Sequence, residues 1–285
     1  MRADVSPPGL SGNQPDPSGG GARLQPLAGF DAAGIRGVLT DLDDTLSTGG
    51  RLDPDAFAAM QRLQTAGFRI VPVTGRSAGW CDHFVRMWPV DAVIGETGAF
   101  YMVREGNGVR TVFTPDAAAL EAARSRRTAI AQKVLAEVPE AALAGDQPYR
   151  LVDLAIDIAE SIVPPVSPPR VARIVELLRA EGMHAQPSSI HVNAWFGEFD
   201  KGHTARKLLA EHFGDADEAA RDRWVCIGDA PNDAPLFAAF RHSVGVANLR
   251  EHADRIPVLP AWITLSANGA GFAELANHLL AARGG

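Results

Sequence analysis

Cysteine is nearly absent from this 285-residue sequence: Cys81 and Cys226 are the two. Two cysteines build no disulfide framework. Cys226 lies in the apolar run 224–227, where a buried core residue is the simplest reading, and a reducing cytosol is expected. Long apolar runs are also missing. No stretch approaches the roughly 18 residues that span a bilayer, and the N-terminus lacks the apolar segment of a signal peptide. Nor is there an excess of positive charge. Lys+Arg 27 against Asp+Glu 34 leaves a net charge of −7, which argues against nucleic acid or an anionic membrane surface as partner. A small anionic substrate stays compatible, because a bound cation would reverse the local field. A cytoplasmic monomer or homodimer is the expectation.

What is present is ample apolar content, 46%, enough for a sizeable core. The length suits one large α/β domain, or a core carrying an inserted second domain. Residues 1–33 are rich in Pro, Gly and Ser and poor in large apolar side chains. They read as a disordered tail. After them comes a short apolar strand, 35–39, then a helix opened by Asp53 as N-cap and Pro54 at its first position. Phe57, Met60 and Leu63 supply that helix's apolar face. Gly67 stops it and a second strand, 69–73, follows. Strand, helix, strand in this rhythm predicts a right-handed βαβ unit and a parallel sheet.

The chemistry gathers where strands end. The first strand runs straight into Asp41-Leu42-Asp43-Asp44-Thr45. Buried strands do not tolerate unpaired charge, so this group is expected in a crevice at the carboxyl edge of the sheet. Carboxylates there either hold a hard divalent cation or act as nucleophile and general acid/base. An acidic turn without function is the plain alternative. The second strand ends in Thr74-Gly75-Arg76-Ser77, a hydroxyl, a glycine and a cation suited to phosphate, or an ordinary turn with Ser77 as N-cap. A third strand is expected at 91–94. Further along, Lys201 opens a helix, and strand 223–227 ends in Gly228-Asp229-Ala230-Pro231-Asn232-Asp233.

Between these lies a long interruption. A β-rich run at 100–113, a helix over 115–138, a strand at 149–159, a helix from Pro168 or Pro169 through Ala180 and a strand at 188–195 carry no acidic strand end. They predict a separate α+β module spanning 99–196. It divides a core made of residues 34–98 and 197–285. Further core strands are expected at 243–247 and 262–265, with a closing helix over 271–282. Taken together, Asp41, Asp43, Thr74, Lys201, Asp229 and Asp233 fall at one sheet edge. Four carboxylates in one pocket repel each other severely. Mg²⁺ would resolve this, and phosphoryl transfer would give it a purpose.

In this pattern the chain resembles the haloacid dehalogenase (HAD) superfamily. Asp41-Leu42-Asp43-Asp44-Thr45 matches its D-x-D-x-T motif; Thr74, Lys201 and the 228–233 run match the later motifs in order. Glu96-Thr97-Gly98-Ala99 is similar to the E-N-G-A that opens the large cap of the Cof-type, sucrose-phosphate and mannosyl-3-phosphoglycerate phosphatases, with Thr97 in place of Asn. The resemblance implies a Rossmann-like parallel-sheet core with an inserted α+β cap, and a Mg²⁺-dependent phosphatase of small phosphorylated metabolites. It implies Asp41 as nucleophile and Asp43 as acid and base. Thr74 and Lys201 would sit on the phosphoryl group. Asp41, Asp43 through its carbonyl and Asp229 would be at the metal, with Asp233 either a further ligand or just behind them, and Asn232 in the network near Lys201. Gly75, Arg76 and Ser77, beside Thr74, and cap residues Arg150, Asp153, His191 and Asn193 are candidates for the substrate, although Arg150 and Asp153 could simply pair. Three rival readings stand beside this one. A phosphomutase would transfer the phosphoryl group instead of releasing it. A non-catalytic phosphate-binding protein would keep the pocket without turnover. A signalling receiver module would lack the cap-sized insert.

Overall fold

The computed structural model describes residues 24–284. Expectations for residues 1–23 lie outside the described residues. The chain opens with β1 (Gln25–Pro26), β2 (Gly37–Thr40), a small hairpin of β3 (Ser47–Thr48) and β4 (Arg51–Leu52), and helix α1 (Pro54–Thr65). Next come β5 (Arg69–Pro72), α2 (Ala78–Met87), β6 (Ala92–Gly95), β7 (Phe100–Glu105) and β8 (Gly108–Phe113). An intervening module holds α3 (Ala117–Glu137), β9 (Ala142–Leu143), β10 (Leu154–Asp157), α4 (Pro168–Ala180), β11 (His184–Pro187) and β12 (His191–Trp195). The chain closes with α5 (Lys201–Leu208), α6 (Glu218–Arg221), β13 (Trp224–Gly228), α7 (Ala234–Ala239), β14 (His242–Gly245), β15 (Trp262–Ile263) and α8 (Asn268–Gly284).

The central sheet has the order β1-β15-β14-β13-β2-β5, every pair parallel. Parallel strands are covered on both faces, and β2 shows this. Val38 packs into one apolar cluster and Leu39 into another, both without exposure. The βαβ unit forms as its sequence dictates: the Asp53 carboxylate accepts hydrogen bonds from the amides of Asp55 and Ala56, and Pro54 sets the first turn of α1. No helix among the described residues is long and apolar enough to cross a membrane.

Two expected boundaries move. The tail was expected to run to residue 33, yet Gln25–Pro26 adds a parallel edge strand beside β15, and Leu27, Phe30 and Ala32 are buried. Phe30 lies against the rings of Trp262 and His278; three apolar anchors scattered among small residues are enough to dock a segment that composition reads as tail. The β7–β8 hairpin was expected within the inserted module. It pairs instead with β6, which bridges to the end of β5 through Val73 and Ile94, and Phe100 to Val103 pack in the two core clusters. The module with its own apolar centre is therefore shorter. Its sheet, β11-β12-β10-β9, is antiparallel, and α3 and α4 cover one face with Ile130, Val134, Ile174 and Leu178. The expected strand at 149–159 shrinks to Leu154–Asp157, because Glu96 takes the amides just before it.

On β12 the two-residue period decides what meets what. Val192 and Ala194 enter the module's apolar centre. His191 and Asn193 occupy the opposite face, turned toward the ends of β2 and β13.

Candidate active site

The register of the central sheet brings the acidic motifs together. Thr40 lies beside Ile227, so the chain leaves β2 into Asp41 just where β13 reaches Gly228 and Asp229. The amide of Asp41 donates to the Ile227 carbonyl at 2.9 Å and fixes that exit. Lys201, at the first turn of α5, is wholly buried; its Nζ donates to Asp41 Oδ1 at 2.5 Å and to Asp233 Oδ1 at 2.6 Å. A lysine at a helix N-terminus opposes the helix dipole, and these two carboxylates offset that cost. Asp233 Oδ2 accepts the amides of Asp229 and Ala230 at 3.0 and 3.2 Å. Both of its oxygens are thus engaged, one shaping the 229–233 turn and the other holding the lysine.

Asp229 is positioned from the other side. Its Oδ1 accepts from Thr45 Oγ1 at 3.2 Å and its Oδ2 from Asn248 Nδ2 at 3.2 Å, and Asn248 also donates to the Asp44 carbonyl. Asn248 follows β14 without any motif that would mark it. Thr74 Oγ1 accepts the Arg76 amide at 3.0 Å, which leaves its own proton free to donate.

Ligand atoms of Asp41, Asp229 and Asp233 lie within 4.8 Å of one another. Three carboxylates against one ammonium leave a net −2 when all are ionised. Burial, then repulsion from Asp233, pushes Asp41 up to about 8, with Lys201 opposing. Burial and the charges of Asp41 and Asp233 push Asp229 well above the usual carboxylate range. Burial alone would lower Lys201, but Asp233 and Asp41 override it and hold the ammonium on. An all-oxygen donor set short of positive charge fits a hard divalent cation such as Mg²⁺. Asp41 and Asp229 are the carboxylates best placed to hold it. Asp233, expected at the metal, is already committed to Lys201 and two amides.

The Asp43 side chain is elsewhere. Arg76 grips it with a fork: Nε lies 3.0 Å from both oxygens and Nη2 2.6 Å from Oδ1. Only the Asp43 backbone carbonyl is left as its contribution to a cation. Arg76, expected to meet substrate, also donates from Nη1 to Glu160 Oε1 at 2.5 Å. Arg150 is likewise spent. Buried, it bonds Asp146 and Asp153 and donates to the Gly75 carbonyl at 2.8 Å. It fastens the cap to the core rather than facing a ligand, and it does pair with Asp153. Asn193 spends both amide protons, on Gly75 O at 3.2 Å and Asp153 Oδ2 at 2.8 Å. His191 Nε2 lies 2.9 Å from Glu160 Oε2. Ser77 caps α2 without a side-chain hydrogen bond, and Asn232 Oδ1 is buried without a partner.

Glu96, in the Glu96-Thr97-Gly98-Ala99 motif, ties the two modules together. Its carboxylate accepts four amides, those of Ala78, Leu151, Val152 and Asp153, at 2.6–3.0 Å. Glu160, in the loop after β10, carried no signal at all. Asp41, Asp43, Gly75, His191, Asn193, Asp229 and Asn232 line one cleft, roofed by residues 188–190, whose free volume is about 10 Å³. That is close to a single water, so the cap lies closed over the cleft.

No family model matches the chain, and no curated protein matches it. Solved structures do. Protein 0175 of Thermoplasma acidophilum is similar with TM-score 0.64 at 17% identity, over 86% of this chain and 98% of that one. The sucrose-phosphatase of Synechocystis sp. PCC6803, solved with sucrose and phosphate, is similar with TM-score 0.60 at 18% identity, over 86% and 97%. A HAD superfamily phosphatase from Bacteroides thetaiotaomicron follows with TM-score 0.57 at 18% identity, over 86% and 95%. At these identities the likeness is one of fold. The chain has the Rossmann-like α/β core and inserted cap that those structures share.

Proposed function

We propose that this chain is a phosphomonoesterase of the HAD type, dependent on Mg²⁺, that acts through an aspartyl phosphate on a small phosphorylated metabolite. A sugar phosphate or phosphoglycerate derivative is the expected class. One observation carries the reading: Asp41, buried at a parallel strand's end, meets Lys201 and Asp229 in an oxygen cluster short of positive charge. Two carboxylates sit side by side in the sequence pattern and have different partners, Asp41 on an ammonium and Asp43 on a guanidinium. Burial and repulsion raise Asp41, and a cation held beside it would return it to the ionised form that a nucleophile needs.

In this reading Asp41 attacks the phosphorus, and the bond to the leaving oxygen breaks. Asp43 gives that oxygen its proton and later takes one from the water that attacks the aspartyl phosphate. Lys201 and the Thr74 hydroxyl donate to phosphoryl oxygens as charge shifts onto them, and Asn232 supports the same side. Asp41, the carbonyl of Asp43 and Asp229 would hold Mg²⁺, which when bound neutralises phosphoryl charge. Asp233 positions Lys201. The cap shuts out bulk water and restricts the substrate to small molecules. The sugar-phosphate class is supported by the likeness to a sucrose-phosphatase.

The test is release of inorganic phosphate from a panel of sugar phosphates and phosphoglycerates, with Mg²⁺ and with excess EDTA. Metal-dependent release from a few members is expected, and Asp41→Asn should abolish it while the circular dichroism spectrum stays unchanged. Full activity in a folded Asp41→Asn protein would sink the proposal. Transfer to a second sugar hydroxyl in place of release would identify a phosphomutase.

A further inference from the structure

The chain carries five tryptophans and two tyrosines. One of each kind is exposed, Trp80 at 46% and Tyr149 at 66%. Both line one groove, where the start of α2 meets the cap segment 145–149. The groove holds about 540 Å³, within the ~300–1,000 Å³ of small-molecule sites. It is separate from the catalytic cleft. The Arg76–Glu160 ion pair is the wall between them: Arg76 meets Asp43 and Glu160 meets His191 on the cleft side, and both line the groove on the other.

The lining is held in place before any ligand arrives. Trp80 stacks on Phe84 with centroids 5.9 Å apart at 25°, and the Arg76 guanidinium lies 5.9 Å from its ring. Tyr149 rests on the backbone of the first turn of α2, since a Cβ on Gly79 would lie 2.9 Å from the Tyr149 Cβ. Asp146 accepts the Ser77 amide at 3.3 Å and is gripped by Arg150. Ser77 itself has no exposure, lines the groove, and keeps an Oγ without a hydrogen-bond partner. A serine in the N-cap place ordinarily spends that oxygen on a helix amide. Leaving it buried and unmatched is costly unless something in the groove matches it.

The chemistry of the lining selects the ligand. Two carboxylates, Asp146 and Glu160, stand beside one guanidinium, so an anion gains nothing here. Carboxylate oxygens only accept, which suits hydroxyl donors, and the Ser77 hydroxyl can both give and take. Two fixed aromatic faces suit the C–H groups of a saturated ring. Hydroxyl edges around C–H faces are what a pyranose presents. We propose that this groove binds a neutral sugar ring, with Trp80 and Tyr149 as its platforms and Ser77 and Asp146 as its polar contacts. A nucleobase would stack on the same rings, but its ring nitrogens and carbonyls accept, as the carboxylates do. The site carries no step of the phosphatase reaction and stands whether or not that reading holds.

Saturation-transfer NMR titrations of the full chain, without Mg²⁺ or phosphate, test this. The probes are methyl α-glucopyranoside, methyl α-mannopyranoside, maltose and adenosine. At least one of the sugars should bind. Trp80→Ala and Tyr149→Ala should each weaken it about tenfold, the effect of one lost ring contact. Tyr149→Phe keeps the ring and should bind as the wild type does, which separates stacking from a general loosening of α2. Ser77→Ala should weaken binding about fivefold. Its Tm without sugar should be unchanged or higher, because no unmatched hydroxyl is then buried. Absence of binding by every sugar, binding untouched by both Trp80→Ala and Tyr149→Ala, or preference for adenosine over all the sugars would overturn the proposal.

Discussion

Lys201 is the residue on which the site's charge balance turns. It has no exposure, and it stands between two buried carboxylates at 2.5 and 2.6 Å. Removing one partner of a buried ionic group leaves the others uncompensated, which costs about 3–5 kcal/mol. Lys201→Met should therefore lower the free energy of unfolding, read from urea titration, by that amount with little change in slope. It should also abolish phosphate release. A variant as stable as the wild type would mean that Asp41 and Asp233 take up protons without penalty. The cluster of Asp41, Asp229 and Asp233 was legible from the sequence because each follows the end of a central strand, and Lys201 because it opens a helix, all local signals. Glu160 and Asn248 were not. Glu160 meets Arg76 from 84 positions away in the chain and Asn248 meets Asp229 from 19, and nothing local to either residue marks the encounter.

At the scale of elements, the lysine is placed by how closely α5 approaches the start of α7. Gly202 makes that approach feasible. A Cβ there would lie 2.3 Å from the Pro235 carbonyl oxygen and 3.0 Å from Ala239 Cβ. Backbone does not yield as a side-chain tip would, so Gly202→Ala forces the two helices apart. Overpacking of this kind costs about 1–3 kcal/mol. The larger effect should fall on turnover, since Lys201 is the next residue. A displacement near 1 Å of a catalytic group costs about 100-fold in rate. Thermal unfolding and phosphate release, measured on one preparation, check both. An alanine variant with unchanged kcat would show that α5 does not set the lysine's position. The same close packing limits what patterning reveals. The alternation of strands and helices from 35 to 95 was readable because each element carries its own cap and apolar face. The β7–β8 hairpin was not assigned to the core, since its apolar residues fit either module by composition. Its pairing with β6 decides the matter. Leu27 and Phe30 were lost in a stretch whose average composition hid three anchors.

For the whole molecule, the junction between cap and core is held mainly by charge, and charge makes it sensitive to acid. The closed form has Glu160 between His191 and Arg76. The hydrogen bond from His191, then the Arg76 guanidinium, outweigh partial burial and hold the Glu160 carboxyl down to about 2 from an ordinary 4.5. A carboxyl with a lowered value in the folded form binds fewer protons there than in the open or unfolded chain. Its contribution is complete above pH 4.5 and is lost as the pH falls through about 2. Glu160 is partly exposed, so screening by water keeps the energy modest. A difference measurement isolates this contribution from the other carboxylates that titrate in the same range. The midpoint of thermal unfolding of the wild type should exceed that of Glu160→Gln by a constant amount from pH 7 to 5. That gap should close steadily below pH 4.5, because a protonated glutamic acid and a glutamine hold Arg76 about equally. A gap unchanged between pH 6 and 3 would mean that Glu160 joins cap to core through neutral contacts, with no ionic hold on Arg76 to lose.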